Sequence, residues 1–349
     1  MKRYILPLSV VAMGMGLWVG VVEAVDLTWD ANGTGDGQTD GGGTWLNPDQ
    51  WWDGGANAAW NSGTPDTAII GNGGSGGTIT LGAVTAGNVT FGSFSGTYTL
   101  GGDSGSTLDQ SAGVTTTTNS GNVTFSKKIS GAGGLTVNNA AGKILILASG
   151  QGDPSSYTGP TVVTGGILQI GTGWQNSQSI PGGISSSAGT TGSNLELNGG
   201  TITISYYLRR PLGSGPGQLQ ITGGASGFNH WQGDTYGRIA ISNSANFELV
   251  WGSEFFKPDV FVLNEEAASP QQVVNIVNKI DLNGATRTVA CNSTRSVSGG
   301  YVNGNNGDMA TAGGRLTGLI RNTGSTPAGV TKIGPGVLQL TAANTYDGD

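Results

Sequence analysis

Charge, cysteine and histidine are all scarce in this 349-residue chain. The one cysteine, Cys291, excludes an internal disulfide framework. It reads as a small apolar residue of the strand Thr288-Val289-Ala290-Cys291 rather than a reactive thiol. The one histidine, His230, has no partner with which to build a triad or a zinc site. Asn229-His230-Trp231 therefore reads as a loop. Only 11% of residues are charged against 36% hydrophobic. That is the reverse of a disordered chain, in which charge repulsion and scarce apolar surface oppose collapse. Basic residues are fewest where nucleic-acid binding would need them, with 15 Lys+Arg against 22 Asp+Glu. No surface is available to displace counterions from phosphates, so nucleic acid is excluded as a partner. After residue 24 no apolar run reaches membrane-spanning length, and the mature chain is expected to have no transmembrane segment.

What is present begins with a secretion address. Lys2 and Arg3 precede an uncharged apolar stretch over residues 5–22, and Val22-Glu23-Ala24 supplies the small residues a signal peptidase reads. Residues 1–24 are thus expected to be a signal peptide, leaving a mature chain from Val25. Removing them takes away two basic residues and one acidic residue, which moves the formal charge from −7 to −8. Glycine is abundant, at 65 residues, but has no Gly-X-Y period, so collagen is excluded.

Short alternating strands bounded by Gly, Asn, Ser or Thr recur along the whole chain. Examples are Asn88-Val89-Thr90-Phe91, Asn122-Val123-Thr124-Phe125, Thr201-Ile202-Thr203-Ile204 and Val260-Phe261-Val262-Leu263. Period-2 alternation turns one side of each strand inward. Residues 269–280 offer a helix start at Ser269-Pro270, but Val273, Val274, Ile276 and Val277 are β-branched. Residues 273–282 therefore read as one strand.

Repetition selects the architecture. Ser156-Tyr157-Thr158-Gly159 and Thr345-Tyr346-Asp347-Gly348 share a Tyr-x-Gly turn. Upstream of the first lie Gly133-Gly134-Leu135-Thr136-Val137 and Lys143-Ile144-Leu145-Ile146-Leu147. Upstream of the second lie Gly329-Val330-Thr331-Lys332-Ile333 and Gly336-Val337-Leu338-Gln339-Leu340. One such unit cannot bury its apolar face alone, so neighbours must stack. The expected fold is all-β, a right-handed parallel β-helix or β-solenoid of short strands with a capped N-terminal end. Residues 25–75 form a Trp/Gly/Asp-rich cap region and 76–349 the solenoid, with repeat-like units near 130–171 and 329–349. At roughly 20–25 residues per coil, the chain makes about 13–16 coils, a rod on the order of 60–75 Å long.

The stretch from Val330 to Gly348 resembles the autotransporter-associated β-strand repeat, also called the passenger-associated transport repeat. It shows Lys332-x-Gly334-x-Gly336-x-Leu338-x-Leu340, then Asn344-Thr345-Tyr346-x-Gly348. Tyr157, Gly159, Gly165 and Gly166 sit in a stretch similar to its second half. The tract with Trp29, Trp45, Trp51, Trp52 and Trp60 resembles the leader of large secreted proteins that carry this repeat. Leu212-Gly213-Ser214-Gly215, Trp251-Gly252-Ser253 and Ile280-Asp281-Leu282-Asn283-Gly284 are similar to their inter-repeat segments. The resemblance implies a β-helical passenger, structural or adhesive, secreted or held at the bacterial outer surface, with folding of stacked coils assisting export. Its implied partner is the export machinery; the tryptophans add cell-surface or extracellular glycans as a candidate partner, and no cofactor is expected. No translocator barrel is visible, and Asp349 falls where a strand is expected to begin, which points to a truncated unit.

Catalysis is the weaker reading. Parallel β-helices host polysaccharide lyases and hydrolases, and the alternative is a carbohydrate-binding or carbohydrate-active β-helix. Such sites need convergent carboxylates, or calcium with a nearby base. Of six glutamates, one lies in the signal peptide and Glu265-Glu266 read as a turn after residues 260–263. Residues 30–40 place Asp30, Asn32, Thr34, Asp36 and Asp40 as a calcium loop does, but Gly41 stands where a closing Glu is required. A Gly/Asp turn is the better reading, and no metal site is expected. Two roles fit the five tryptophans: a stacking platform for sugar rings, or a cap over the first coil. Capping is favoured because end coils need protection.

Overall fold

The computed structural model describes residues 24–149, 153–172, 179–184, 192–205, 207–231, 237–241, 247–297 and 311–348. Apart from Ala24, the expected signal peptide lies outside them. Two eleven-stranded sheets form the sides of the coil: the first ends at Leu219–Gly223, the second runs on to Val330–Ile333, and sheets of four and three strands line the C-terminal part. Apart from the two pairs made by Trp51–Trp52, every pairing between these strands is parallel. No α-helix occurs among the described residues; Glu266–Ala268 makes a 3-10 turn that follows Val260–Leu263 after Asn264 and Glu265.

The alternating pattern becomes the core. In Asn122–Phe125, Val123 and Phe125 are buried while Asn122 and Thr124 face outward. Register then stacks like on like. Val123 lies between Tyr98 and Leu145, and the file continues through Leu168, Ile202, Phe228 and Leu263. Beside it, Phe125 lies between Leu100 and Leu147, followed by Ile170. All are buried. Each such side chain contributes about 1.5–3 kcal/mol through loss of apolar surface from water.

Coil length is less regular than the sequence suggests. Ile79 pairs with Leu100, 21 residues on, whereas Thr288 pairs with Thr331, 43 residues on. The second long sheet accordingly holds eleven parallel rungs rather than 13–16, and the first stacks eight, since its other three strands are the antiparallel Trp51–Trp52 and Asn57–Ala58 and the side strand Ile129–Ser130. Parallel stacking also starts earlier than the expected boundary at residue 75. Asp26–Trp29 already pairs with Thr67–Ser75, and the 25–75 tract wraps around that first rung.

Two local expectations are corrected. Residues 273–282 form not one strand but two, Val274–Ile276 and Lys279–Asp281, which belong to different sheets. Asn278 makes the corner: its Nδ2 donates to Ile241 O (2.8 Å) and Phe247 O (3.1 Å), and its Oδ1 accepts from Ile241 N (2.8 Å). A buried amide thus takes the bonds that would otherwise continue the ladder. Asn229 and His230 end the strand Ala225–His230 and are fully buried rather than looped out. Asn229 Nδ2 donates to Thr201 Oγ1 (2.8 Å), and its Oδ1 accepts from Glu265 N (2.6 Å), joining three rungs.

Asn264 is the most heavily bonded of these corner amides. It is buried with φ +65°, its Nδ2 faces the carbonyls of Gln272 (2.8 Å), Ala312 (2.8 Å) and Gly313 (2.9 Å), and its Oδ1 accepts from His230 N (2.9 Å). Alanine there removes every bond and keeps a left-handed backbone. Asn264→Ala is expected to cost roughly 2–4 kcal/mol, and Asn264→Gly to recover only the backbone part. Chemical denaturation of both variants checks this; an Ala variant as stable as the parent would refute the role.

Candidate functional site

The N-terminal tryptophans come together around the start of the first coil. Trp51 is antiparallel to Asp26–Trp29 and brings its ring to 5.2 Å from Trp29, 4.7 Å from Trp45 and 4.7 Å from Trp60, centroid to centroid. Trp45 and Trp60 are 5.1 Å apart. Three indoles donate to backbone oxygens: Trp29 to Gly41 (3.0 Å), Trp51 to Trp45 (2.7 Å) and Trp60 to Thr85 (3.0 Å). These four rings are buried; Trp52 alternates outward and is half-buried.

The acidic loop beside them is occupied by protein donors. Asp30 is buried, accepts from Thr39 N (3.0 Å) and Thr39 Oγ1 (2.8 Å) on one oxygen, and from Asn57 Nδ2 (2.7 Å) on the other. Asp40 accepts from Tyr98 Oη (2.6 Å), Asn72 N (2.8 Å) and Gly74 N (2.6 Å). Burial and the Asp40 carboxylate both push the Tyr98 phenol far above its usual range. These carboxylates anchor turns. No cluster of three or more His, Cys, Asp or Glu arranged for a metal is found among the described residues.

The two repeat-like stretches make the same bonds to the coil before them. Ser155 Oγ accepts from Ile129 N (3.2 Å), and Asn344 Oδ1 accepts from Ile320 N (2.9 Å). One residue on, Ser156 N donates to Ile129 O and Thr345 N to Ile320 O, both at 2.9 Å. Gly159 N then donates to Gly133 O and Gly348 N to Ala328 O, again both at 2.9 Å. A Cβ on Gly159 would lie 2.5 Å from Gly133 C, and one on Gly348 2.5 Å from Ala328 C. Glycine is required because two backbones touch there. The copies occupy different sides of the coil, however. Gly134–Asn138 and Ile144–Leu147 lie in the two long sheets, whereas Val330–Ile333 and Leu338–Leu340 lie in the second long sheet and the four-stranded one.

Around these turns the other motif residues have distinct duties. Gly165 and Gly166 lie against Asn139, and Gly166 has φ +67°. Gly334 and Gly336 pack on the Cys291 carbonyl, Gly334 with φ +79°, and Lys332 Nζ donates to Gly334 O (2.5 Å). Leu338, Leu340 and Tyr346 are half-buried. Tyr157 is buried, and its hydroxyl lies 2.7 Å from Thr161 Oγ1, which lies 2.8 Å from Ser193 Oγ. Burial raises its pKa to about 12. Cys291 is buried beyond Arg287–Ala290, and burial pushes its thiol up to about 11, so it packs rather than reacts.

Two arginines carry no signal in the sequence. Arg210 is fully buried without a carboxylate: its guanidinium donates to the carbonyls of Gly183 (2.9 and 2.5 Å), Pro181 (2.9 Å) and Ser193 (2.8 Å). Desolvation lowers its pKa to about 10, still protonated at neutral pH. It ties the 179–184 segment to the coil. Arg287 lies on an open cleft of about 590 Å³ beside Trp251.

Stacked parallel coils with duplicated Tyr-x-Gly turns define a β-solenoid, and the duplicated turns coincide with a known repeat. Residues 144–170 and 330–349 match the passenger-associated transport repeat. The chain is similar to the adhesin BmaC autotransporter of Brucella suis biovar 1 (strain 1330), with 34% identity over 233 residues. That alignment covers 62% of this chain and 6% of the relative, of which the chain therefore spans a small part. No solved structure matches. Among the described residues no helix is long and apolar enough to cross a membrane.

Proposed function

We propose that the chain is an exported passenger segment of an autotransporter-like protein, displayed at the bacterial surface or beyond it, that works by adhesion rather than catalysis. The observation that carries this reading is the pair of transport repeats, each making the same three bonds to the coil before it. A new coil in such a rod needs only its predecessor as template. Stepwise stacking outside the outer membrane therefore favours outward movement of chain still threaded through the export machinery. The similarity to a named adhesin supports the adhesive part. In support of a non-catalytic role, Asp30 and Asp40 are engaged in turns, and Glu248 and Glu266 in ion pairs with Arg321 and Arg295.

In the same reading, Trp29, Trp45, Trp51 and Trp60 close the first coil, while Trp52 and any glycan partner are separate questions. Mass spectrometry of the exported protein is expected to place its N-terminus at Val25. Antibody against the solenoid is expected to label intact cells, and deletion of the segment to reduce adhesion. An intact Met1 on cell-associated protein, or label seen only after lysis, would overturn the assignment.

A further inference from the structure

The cleft beside Arg287 is formed where successive coils turn into the second long sheet. Gly223 and Gly224, then Asp259, then Thr286 and Arg287 occupy one corner on successive rungs, as the pairings Ala225 with Val260 and Val260 with Thr288 require. Asn198, Thr222, Lys257 and Thr288 complete its walls, which are mostly polar. A volume of about 590 Å³ lies within the ~300–1,000 Å³ of ligand clefts. Trp251 and Pro258 are the large apolar residues of an otherwise polar lining, which favours a polar ligand over a lipid.

Arg287 is held in place rather than left to wave in solvent. Its Nε donates to Leu282 O (3.0 Å) and its Nη2 to Trp251 O (3.0 Å), and the guanidinium carbon stands 5.8 Å from the Trp251 ring centroid. Gly252 leaves room for it, since a Cβ there would come within 3.2 Å of Nη2. Partial burial lowers its pKa. No ion pair involving Arg287 occurs among the described residues, in contrast to Arg321 and Arg295. Two of five guanidinium donors are used, so three stay available for a planar anion. Lys257 adds a second cation at the rim, in a chain whose overall charge is negative. Asp259 accepts from Gly224 N (3.0 Å) and keeps acceptor capacity for a hydroxyl.

We propose that this cleft binds a carboxylate-bearing sugar residue, with the carboxylate on Arg287 and Lys257 and the ring hydroxyls on Asp259, Asn198 and the threonines. A bidentate guanidinium–carboxylate contact gives orientation, and a hydroxyl-lined trough suits a polyol ring better than a compact inorganic anion. The inference names a ligand class for the adhesive reading but stands on its own, because it concerns binding by the purified chain in solution.

Titration of the purified chain with a glucuronate-containing oligosaccharide, its neutral glucose counterpart and inorganic sulfate tests it. The uronate is expected to bind at least about tenfold more tightly than either control, and to weaken as salt rises. Arg287→Gln is expected to remove that preference. Because Arg287 also braces the residue 251 turn, Lys257→Glu provides a second variant at an exposed side chain. It is expected to weaken uronate binding by about tenfold while leaving the melting temperature unchanged. Absence of uronate binding, equal binding of sulfate, or binding indifferent to both substitutions would overturn the proposal. None of those outcomes bears on whether the chain is exported or adhesive.

Discussion

Trp51→Ala is expected to destabilise the N-terminal coils by about 3–5 kcal/mol, the usual cost of emptying a buried aromatic site. Trp51 is the centre of its cluster, in edge or tilted contact with Trp29, Trp45 and Trp60. Such pairs add about 0.5–1.5 kcal/mol beyond the area they bury. Alanine would also remove the indole that donates to Trp45 O. The damage should remain local, because each coil contacts only its neighbours. Hydrogen exchange is therefore expected to accelerate in Asp26–Trp29, Thr67–Ser75 and Ala83–Ser95, with little change beyond Leu195–Asn198. Trp52→Ala is the comparison: this ring is half-exposed, and the expected effect is within about 0.5 kcal/mol. Should Trp51→Ala melt like the parent and lose retention on polysaccharide affinity gels, the cluster is a glycan platform and the capping role fails.

The second large effect is expected at the Tyr-x-Gly turns. Gly159→Ala places a methyl group 2.5–2.6 Å from Gly133 C, Gly133 O and Gly134 N, all backbone atoms that no rotamer change can move. The rungs must separate, stretching the bond from Gly159 N to Gly133 O and disturbing Tyr157, Thr161 and Ser193 beneath it. The expected loss is about 1–3 kcal/mol, and more if the coils cannot slide. Gly348→Ala meets Ala328 in the same way. Gly105→Ala is the control: its nearest neighbour is Asp103 Oδ1 at 3.6 Å, and its φ lies outside the left-handed region. That substitution is expected to be neutral or to stabilise by about 0.4–1 kcal/mol through the unfolded chain. Equal melting of the Gly159 and Gly105 variants would refute contact between coils as the reason for the motif glycine.

Much of the solenoid was legible because its rule is local. A strand such as Asn122–Phe125 shows its inward face in four residues, and its parallel neighbours Thr97–Gly101 and Ile144–Leu147 repeat that face in register. The Tyr-x-Gly turn was equally visible as a repeat. What it does was not: the amide of Ile129 or Ile320 and the backbone of Gly133 or Ala328 lie 20–27 residues away from their partners. Residues 273–282 were misleading for a related reason. Their β-branched run is strand-like throughout, and only Asn278, bonded to Ile241 and Phe247 across 37 and 31 residues, breaks it into two sides of a coil.

The sequence by itself determined an all-β chain with alternating faces, glycine corners and duplicated turns. Those properties depend on neighbours a few residues apart, and pattern is sufficient for them. Only the tertiary structure decided which residues meet from coil to coil. It buried Arg210 among the carbonyls of Pro181, Gly183 and Ser193, brought Arg287 to Trp251, and turned the two repeat-like stretches onto different sides of the coil. The physical reason is that coil length varies from 21 to 43 residues. Each loop resets which residue lies above which, and loop closure costs so little per added residue that the local pattern does not constrain it.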